Sequence, residues 1–307
     1  MRIVYLGTPD FAVKPLENLI ENGYDVVAVV TNKDKPVGRK QILTAPPVKE
    51  LAIKHGIKVL QYNKIRVEGV EDLKALKPDL MITCAFGQIL SKEILDIAPL
   101  GVINVHASLL PKYRGASPIH FAILNGETET GITIMKTDVG IDTGDIISQE
   151  KLDILNGETC GHLFDRLSIL GADLLIKTLP LIINKTAKFI KQDDEKATFT
   201  KSIDKQMAKI DFNVSASDVV NKVRAFNPVP TAFTMFEGNP FKVYEAIECD
   251  LVGDVGKVLR ADNSLVIGCK DKSVELKVVQ KAGGKPMNAS DFLRGNKIVV
   301  GEDFGKW

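Results

Sequence analysis

Three polar side chains in the stretch 101–147 have types and spacing suited to proton transfer and to holding developing charge: Asn104, His106 and Asp142. Asn104 and His106 stand two apart at the end of the apolar run Val-Ile-Asn-Val-His, residues 102–106. Side chains alternate along a β-strand, so both lie on one face of its sheet. A side-chain amide offers hydrogen-bond donors, and an imidazole both takes and gives protons near neutral pH. Asp142 sits in a glycine-bounded loop, Val-Gly-Ile-Asp-Thr-Gly-Asp over 139–145, as a second polar group at a strand boundary. Each has an ordinary explanation taken singly. A lone histidine at a strand end is usually a satisfied core residue, an asparagine marks a bulge or edge, and an aspartate caps a turn.

The elements around them follow a βα alternation. Strand-like runs at 2–6, 25–30, 58–60, 80–85 and 102–106 are separated by helical stretches at 11–22, 48–54 and 67–77. Strands that are continuously apolar belong in a parallel sheet covered on both faces. In such open sheets, ligands bind beyond the carboxyl ends of the strands, where Asn104 and His106 fall. Ser108 to Gly115 reads as a loop, and a helix begins at Ser117 or Pro118. After Gly131 come two more strand-like runs, then a long amphipathic helix to about Ile183.

Residues 185–205 are dense in charge and poor in periodicity, and read as a linker. Beyond them lie one helix at 216–226 and many short strands closed by Gly, Asn and Asp turns, the pattern of a small β-barrel. The expected architecture is α/β: a Rossmann-like, mostly parallel sheet domain at 1–188, a linker at 189–206, and a small OB-like β-barrel domain at 207–307.

Composition narrows the class. Forty basic against 39 acidic side chains leave no global charge signature of a nucleic-acid partner. The densest apolar runs are only strand length, and Asp10 interrupts the apolar N-terminus, so the expected location is cytoplasmic. Cys84, Cys160, Cys249 and Cys269 form no Cys-x-x-Cys pair, which predicts reduced thiols. The four histidines show no metal-binding spacing, so no metal is expected. Gly-Thr-Pro-Asp-Phe at 7–11 has one glycine where a dinucleotide turn needs three, and Asp142-Thr143-Gly144 is a single copy where an aspartic protease needs two.

The loop at 31–47 is long for a strand-to-helix connection. Over 31–50 it carries Lys33, Lys35, Arg39, Lys40 and Lys49 against Asp34 and Glu50, a local excess of positive charge in a nearly neutral chain.

Taken together, these motifs resemble the folate-dependent formyltransferases, and most closely the branch that acts on methionyl-tRNA. That family's order of Asn-x-His, Ser-Leu-Leu-Pro-x-x-Arg-Gly, Thr-Gly-x-Thr and Asp-Thr-Gly-Asp is matched at Asn104, His106, Ser108 to Gly115, Thr130 to Thr133, and Asp142 to Asp145. GTPDFA at 7–12, AFG at 85–87, RAFNP at 224–228 and GKPMNASDFLRG at 284–295 extend the likeness over essentially the whole chain. Departures are a less basic loop after the second strand, Val229 and Thr231 within FNPVPTA, and Phe86 where tyrosine is common.

The resemblance implies transfer of a formyl group from 10-formyltetrahydrofolate to the amine of initiator methionyl-tRNA, in a chain expected to be a monomer. It implies that Asn104 stabilises the oxyanion and that either His106, held by Asp142, or a water bound to Asp142 shuttles the proton. Ser108, Leu109, Leu110 and Pro111 would line the folate site, with Phe86, Gly87, Gln88, Ile89 and Leu90 as a strand end facing the pterin. Gly38, Arg39 and Lys40 would meet the tRNA acceptor stem. Two alternatives remain at this stage. One is a formyltransferase acting on a purine ribonucleotide or an amino sugar. The other is a non-enzymatic RNA-binding module, although residues 207–307 hold only 14 basic against 13 acidic side chains.

Overall fold

The computed structural model describes residues 1–38 and 40–305. Five parallel strands form the larger part of the first sheet. The chain runs through β1 (Arg2–Gly7), α1 (Val13–Glu21) and β2 (Asp25–Thr31). A short hairpin follows, β3 (Lys35–Val37) and β4 (Ile42–Thr44), before α2 (Pro47–Lys54) and β5 (Lys58–Gln61). Then come α3 (Ile65–Glu68), α4 (Val70–Leu76), β6 (Leu80–Cys84), α5 (Lys92–Leu95) and β7 (Val102–His106). The two-residue β8 (Arg114–Gly115) and α6 (Pro118–Leu124) precede β9 (Glu129–Lys136) and β10 (Ile146–Asp153), with α7 (Cys160–Ile183) after them.

The strand order is β10-β9-β7-β6-β1-β2-β5. From β5 to β7 the pairs are parallel, while β9 runs antiparallel to β7 and β10 antiparallel to β9. The chain leaves β1 toward β2 and β5, then returns to β6 and β7 on the other side. The switch point therefore falls between the carboxyl ends of β1 and β6, where a doubly wound sheet opens a crevice. Both faces of β1 are dry: Ile3, Val4, Tyr5 and Leu6 are all fully buried. Continuous apolar sequence is the signature of a strand covered on both sides.

By contact density the chain divides into two compact units. The first comprises Met1–Gly115, Glu129–Asp153 and Phe164–Thr200, and the second Ala116–Thr128, Ile154–Leu163 and Lys201–Trp307. The stretch 189–206 is thus shared between the units. Its first part is pinned within unit one by β11 (Phe199–Thr200), which pairs in parallel with β8, and by a bridge between Ile190 and Ile146. Charge density concealed these contacts, because they are made by backbone and by single side chains rather than by an apolar stripe.

Unit two packs α8 (Ala216–Ala225) against a sheet of β12 (Ala232–Phe236), β13 (Asn239–Cys249), β14 (Val258–Ala261), β15 (Leu265–Gly268) and β16 (Ser273–Gln280). Strand β17 (Met287–Asn288) adds to β16, followed by α9 (Ala289–Gly295). The order is β12-β13-β16-β15-β14 with antiparallel pairing, and among the described residues no ladder joins β12 to β14. Phe226, Phe241 and Phe292 are buried in its core, each burial contributing about 1.5–3 kcal/mol.

Among the described residues no helix is long and apolar enough to cross a membrane. Cys84, Cys160 and Cys269 are buried free thiols, each pushed up to about 12 by that burial, so they stay protonated.

Candidate active site

Strand β7 delivers Asn104 and His106 to one place, and the loop between β9 and β10 brings Asp142 to meet them. Nδ2 of Asn104 lies 3.4 Å from Oδ1 of Asp142, and Nδ1 of His106 lies 3.6 Å from Oδ2. Asn104 has its amide orientation set by its neighbours. Its Oδ1 lies 2.9 Å from the Thr83 hydroxyl on β6, so its NH₂ end turns toward the carboxylate, where a carbonyl oxygen would be repelled.

His106 is only 6% exposed, deeper than a solvent-facing crevice residue. Its Nε2 is 2.9 Å from the carbonyl oxygen of Tyr113. A carbonyl can only accept, so Nε2 carries the hydrogen and Nδ1 holds the lone pair in the neutral ring. A proton taken at Nδ1 yields an imidazolium with both N–H groups aimed at acceptors, Tyr113 on one side and Asp142 on the other.

Asp142 adopts a left-handed backbone, φ +52°, which aspartate tolerates better than most residues. Its carboxylate also accepts the Gly115 N–H at 2.8 Å. A side chain at Gly115 would come within 2.5 Å of the Thr200 carbonyl oxygen, and the residue sits at φ +100°, so only glycine allows this approach.

The turn after β7 is braced from the antiparallel edge. Thr133 on β9 donates to the Ser108 carbonyl at 2.6 Å and accepts from the Leu110 N–H at 3.2 Å. Gln149 on β10 donates to the Leu110 carbonyl at 2.8 Å and to Thr133 at 2.9 Å. The Ser108 hydroxyl is spent on the Lys112 carbonyl, 2.7 Å away. Leu110 is buried beside Met135 and Ile146. Of the four residues from Ser108 to Pro111, half-buried Leu109 and Pro111 keep side-chain surface to offer a ligand.

Residues 86–90 follow β6 at the switch point as a loop rather than a strand end, because β6 stops at Cys84 and Ala85 and Gly87 take positive φ. Phe86 is buried in the core, although its carbonyl accepts from Asn32 at 3.2 Å. The Gln88 side chain is also engaged: it donates to Asn32 and to the Tyr62 carbonyl and accepts from the Ile65 N–H. Ile89, by contrast, is 72% exposed. Asn32 thereby ties the root of the β3–β4 segment to the loop after β6.

The stretch 31–47, expected as a loop, holds the β3–β4 hairpin, with Lys35 opposite Thr44 and Val37 opposite Ile42. Gly38 and Gln41 take positive φ at its tip. Gly38 and Lys40 are exposed, and Arg39 lies outside the described residues. Ile42 and Leu43 expose apolar surface beside the lysines. Lys49, counted among the loop's cations, is paired with Asp34 at 2.8 Å. Lys49 and Gln61 hold the Asp34 carboxyl below its ordinary range.

Sequence reasoning missed Thr83, Tyr113, Gln149 and Gln192. Thr133 was visible within Thr-Gly-x-Thr, but its bracing role was not. The others act through a carbonyl or a partner distant in sequence, and no local pattern marks them.

A family model described as formyl transferase matches residues 1–179, and one described as formyl transferase, C-terminal domain, matches 202–297. The chain is 46% identical to methionyl-tRNA formyltransferase of Ruminiclostridium cellulolyticum, with all of each chain covered. It is 44% identical to methionyl-tRNA formyltransferase of Bacillus subtilis, covering 99% of this chain and 98% of that one. Among solved structures, the N-formyltransferase from Helicobacter canadensis, in complex with folinic acid and dTDP-3-aminofucose, is 25% identical with a TM-score of 0.69, covering 89% of this chain and 98% of that one.

Proposed function

This chain belongs to the formyltransferase family, among the relatives that act on methionyl-tRNA, and from that premise we propose how its residues transfer a formyl group from 10-formyltetrahydrofolate to the amine of initiator methionyl-tRNA. The observation that carries the reading is the convergence of Asn104, His106 and Asp142 at the carboxyl end of β7.

The neutral amine attacks the formyl carbon, forming a C–N bond and a tetrahedral intermediate with an oxyanion. The Asn104 NH₂ donates to that oxygen. Nδ1 of His106 takes the proton released by the amine, and the carboxylate of Asp142 holds the resulting imidazolium. As the carbon–N10 bond breaks, the same proton passes to the folate nitrogen. Atoms balance without a covalent enzyme intermediate.

The donor fits what the site leaves free. Leu109, Pro111 and exposed Ile89 supply apolar surface for an aromatic donor, with backbone groups of 86–90 alongside, while the polar side chains of Ser108 and Gln88 support the loops. On the acceptor side, Gly38, Arg39 and Lys40 with apolar Ile42 and Leu43 suit the end of a tRNA helix, and unit two supplies further tRNA-binding surface. We propose a cytoplasmic monomer, checked by its mass in solution.

The deciding assay compares formyl transfer to aminoacylated initiator tRNA with transfer to a purine ribonucleotide amine and to an amino sugar nucleotide. Transfer only to the tRNA supports the reading; preferential use of either small amine overturns it.

A further inference from the structure

The loop that carries Asp142 is gripped from behind by a residue of the charge-rich segment that sequence reads as a linker. Gln192 is buried, 6% exposed. Its side-chain NH₂ donates to two carbonyls of one turn, that of Asp142 at 2.8 Å and that of Gly144 at 2.7 Å. Its Oε1 accepts from Nε of Arg114 at 3.0 Å. Arg114, itself buried, spends its other arm on Asp194 at 2.7 Å.

The neighbouring peptide completes a loop of contacts. Gly115, next to Arg114, gives its N–H to the Asp142 carboxylate. The Arg114–Gly115 pair is in turn laid against Phe199 and Thr200. Asp142 is thus held twice, through its side chain by Gly115 and through its main chain by Gln192, and both holds converge on one dipeptide. A left-handed non-glycine residue persists only where its surroundings over-determine it. The two amide hydrogens of Gln192 are the groups that do so here from the main-chain side.

We propose that Gln192 is a positioning residue for the transfer reaction, setting the Asp142 carboxylate against Nδ1 of His106 by clamping the 142–144 turn. The proposal rests on the reading of Asp142 as part of the reacting cluster. A glutamine is needed because the site calls for two donors and one acceptor on a planar group. Glutamate keeps the acceptor for Arg114 and supplies no donor to the turn. Displacement of a reacting group by about 1 Å can cost on the order of a hundredfold in rate.

The test is a cycle in the intact chain with Gln192→Glu, Asp142→Ala and the double variant, assayed for formyl transfer to charged initiator tRNA. Gln192→Leu runs in parallel should the buried glutamate prevent folding, and thermal melts identify variants that fold. We expect Gln192→Glu to lower kcat by roughly ten- to a hundredfold with KM for both substrates within about twofold. In the Asp142→Ala background the same change should cost almost nothing further, because Gln192 acts through Asp142. A folded Gln192 variant with wild-type kcat, or one whose cost adds in full on Asp142→Ala, overturns the proposal while leaving the catalytic reading in place. Near-normal activity of Asp142→Ala alone sinks the catalytic reading, and the proposal falls with it.

Discussion

The Tyr113 carbonyl oxygen lies 2.9 Å from Nε2 of His106, and that contact determines which atom of the ring is basic. With the hydrogen held on Nε2, proton uptake is confined to Nδ1, on the side of Asp142. Tyr113 itself has φ +61°, and its N–H is held by the Thr198 hydroxyl at 2.8 Å, so the carbonyl is presented from a fixed turn.

The pair should behave as a proton relay. His106→Gln and Asp142→Asn are each expected to lower kcat at least a hundredfold, within the usual range for loss of a general acid–base group. These replacements keep side-chain volume, because an alanine at buried His106 would also leave a cavity. Single-turnover rates decide: more than about a tenth of wild-type activity at either position removes that residue from the relay.

Asn104 should contribute a single oxyanion donor. Asn104→Ala is expected to slow the chemical step by roughly a hundred- to a thousandfold while folate-analogue affinity changes little. If the dominant effect is on folate binding, Asn104 holds the donor and does not stabilise the intermediate.

The β3–β4 hairpin should contribute to tRNA use and little to stability. Ile42 and Leu43 are 61% and 67% exposed, so serine at both should leave the melting temperature nearly unchanged. Arg39→Ala should lower kcat/KM for charged initiator tRNA by roughly tenfold or more, the loss of one good contact worth ~1–3 kcal/mol. Wild-type kinetics for Arg39→Ala at physiological salt would rule out the acceptor-stem contact.

Acid should weaken unit two through His120. Burial lowers the pKa of its imidazole from 6.5, partly offset by the Val229 backbone, and among the described residues its buried Nδ1 has no hydrogen-bond partner. Below about pH 6.5 the unfolded chain binds a proton that the folded ring resists, so this contribution to stability is complete above that value and is lost as pH falls toward the lowered folded pKa. Urea unfolding at pH 7 and pH 5.5 should show a larger loss for wild type than for His120→Gln. Equal losses in the two proteins would place the acid sensitivity elsewhere.

Local rules carried the reading far in unit one. Strand β7 was legible to the residue, because Val102, Ile103 and Val105 are apolar where the sheet is covered and Asn104 and His106 interrupt them with period two. The same periodicity put the candidate chemistry at a strand end, and order along the chain made the sheet mostly parallel. The resemblance to the formyltransferases then singled out Asp142 although 36 residues separate it from His106.

What needed the tertiary structure was everything set by partners remote in sequence. Gln192 looks like one polar residue in a charged segment, yet it reaches back 50 residues to the Asp142 carbonyl. The Gln88 side chain is one polar group in a short loop by sequence, yet it ties Asn32 and the Tyr62 carbonyl together. The hairpin within 31–47 was hidden because two three-residue strands are too short for period two to register. Hydrophobic periodicity reports which face of an element is dry. It says nothing about where an isolated amide or carbonyl will find its hydrogen bond, because that is decided only when distant segments of backbone close around it.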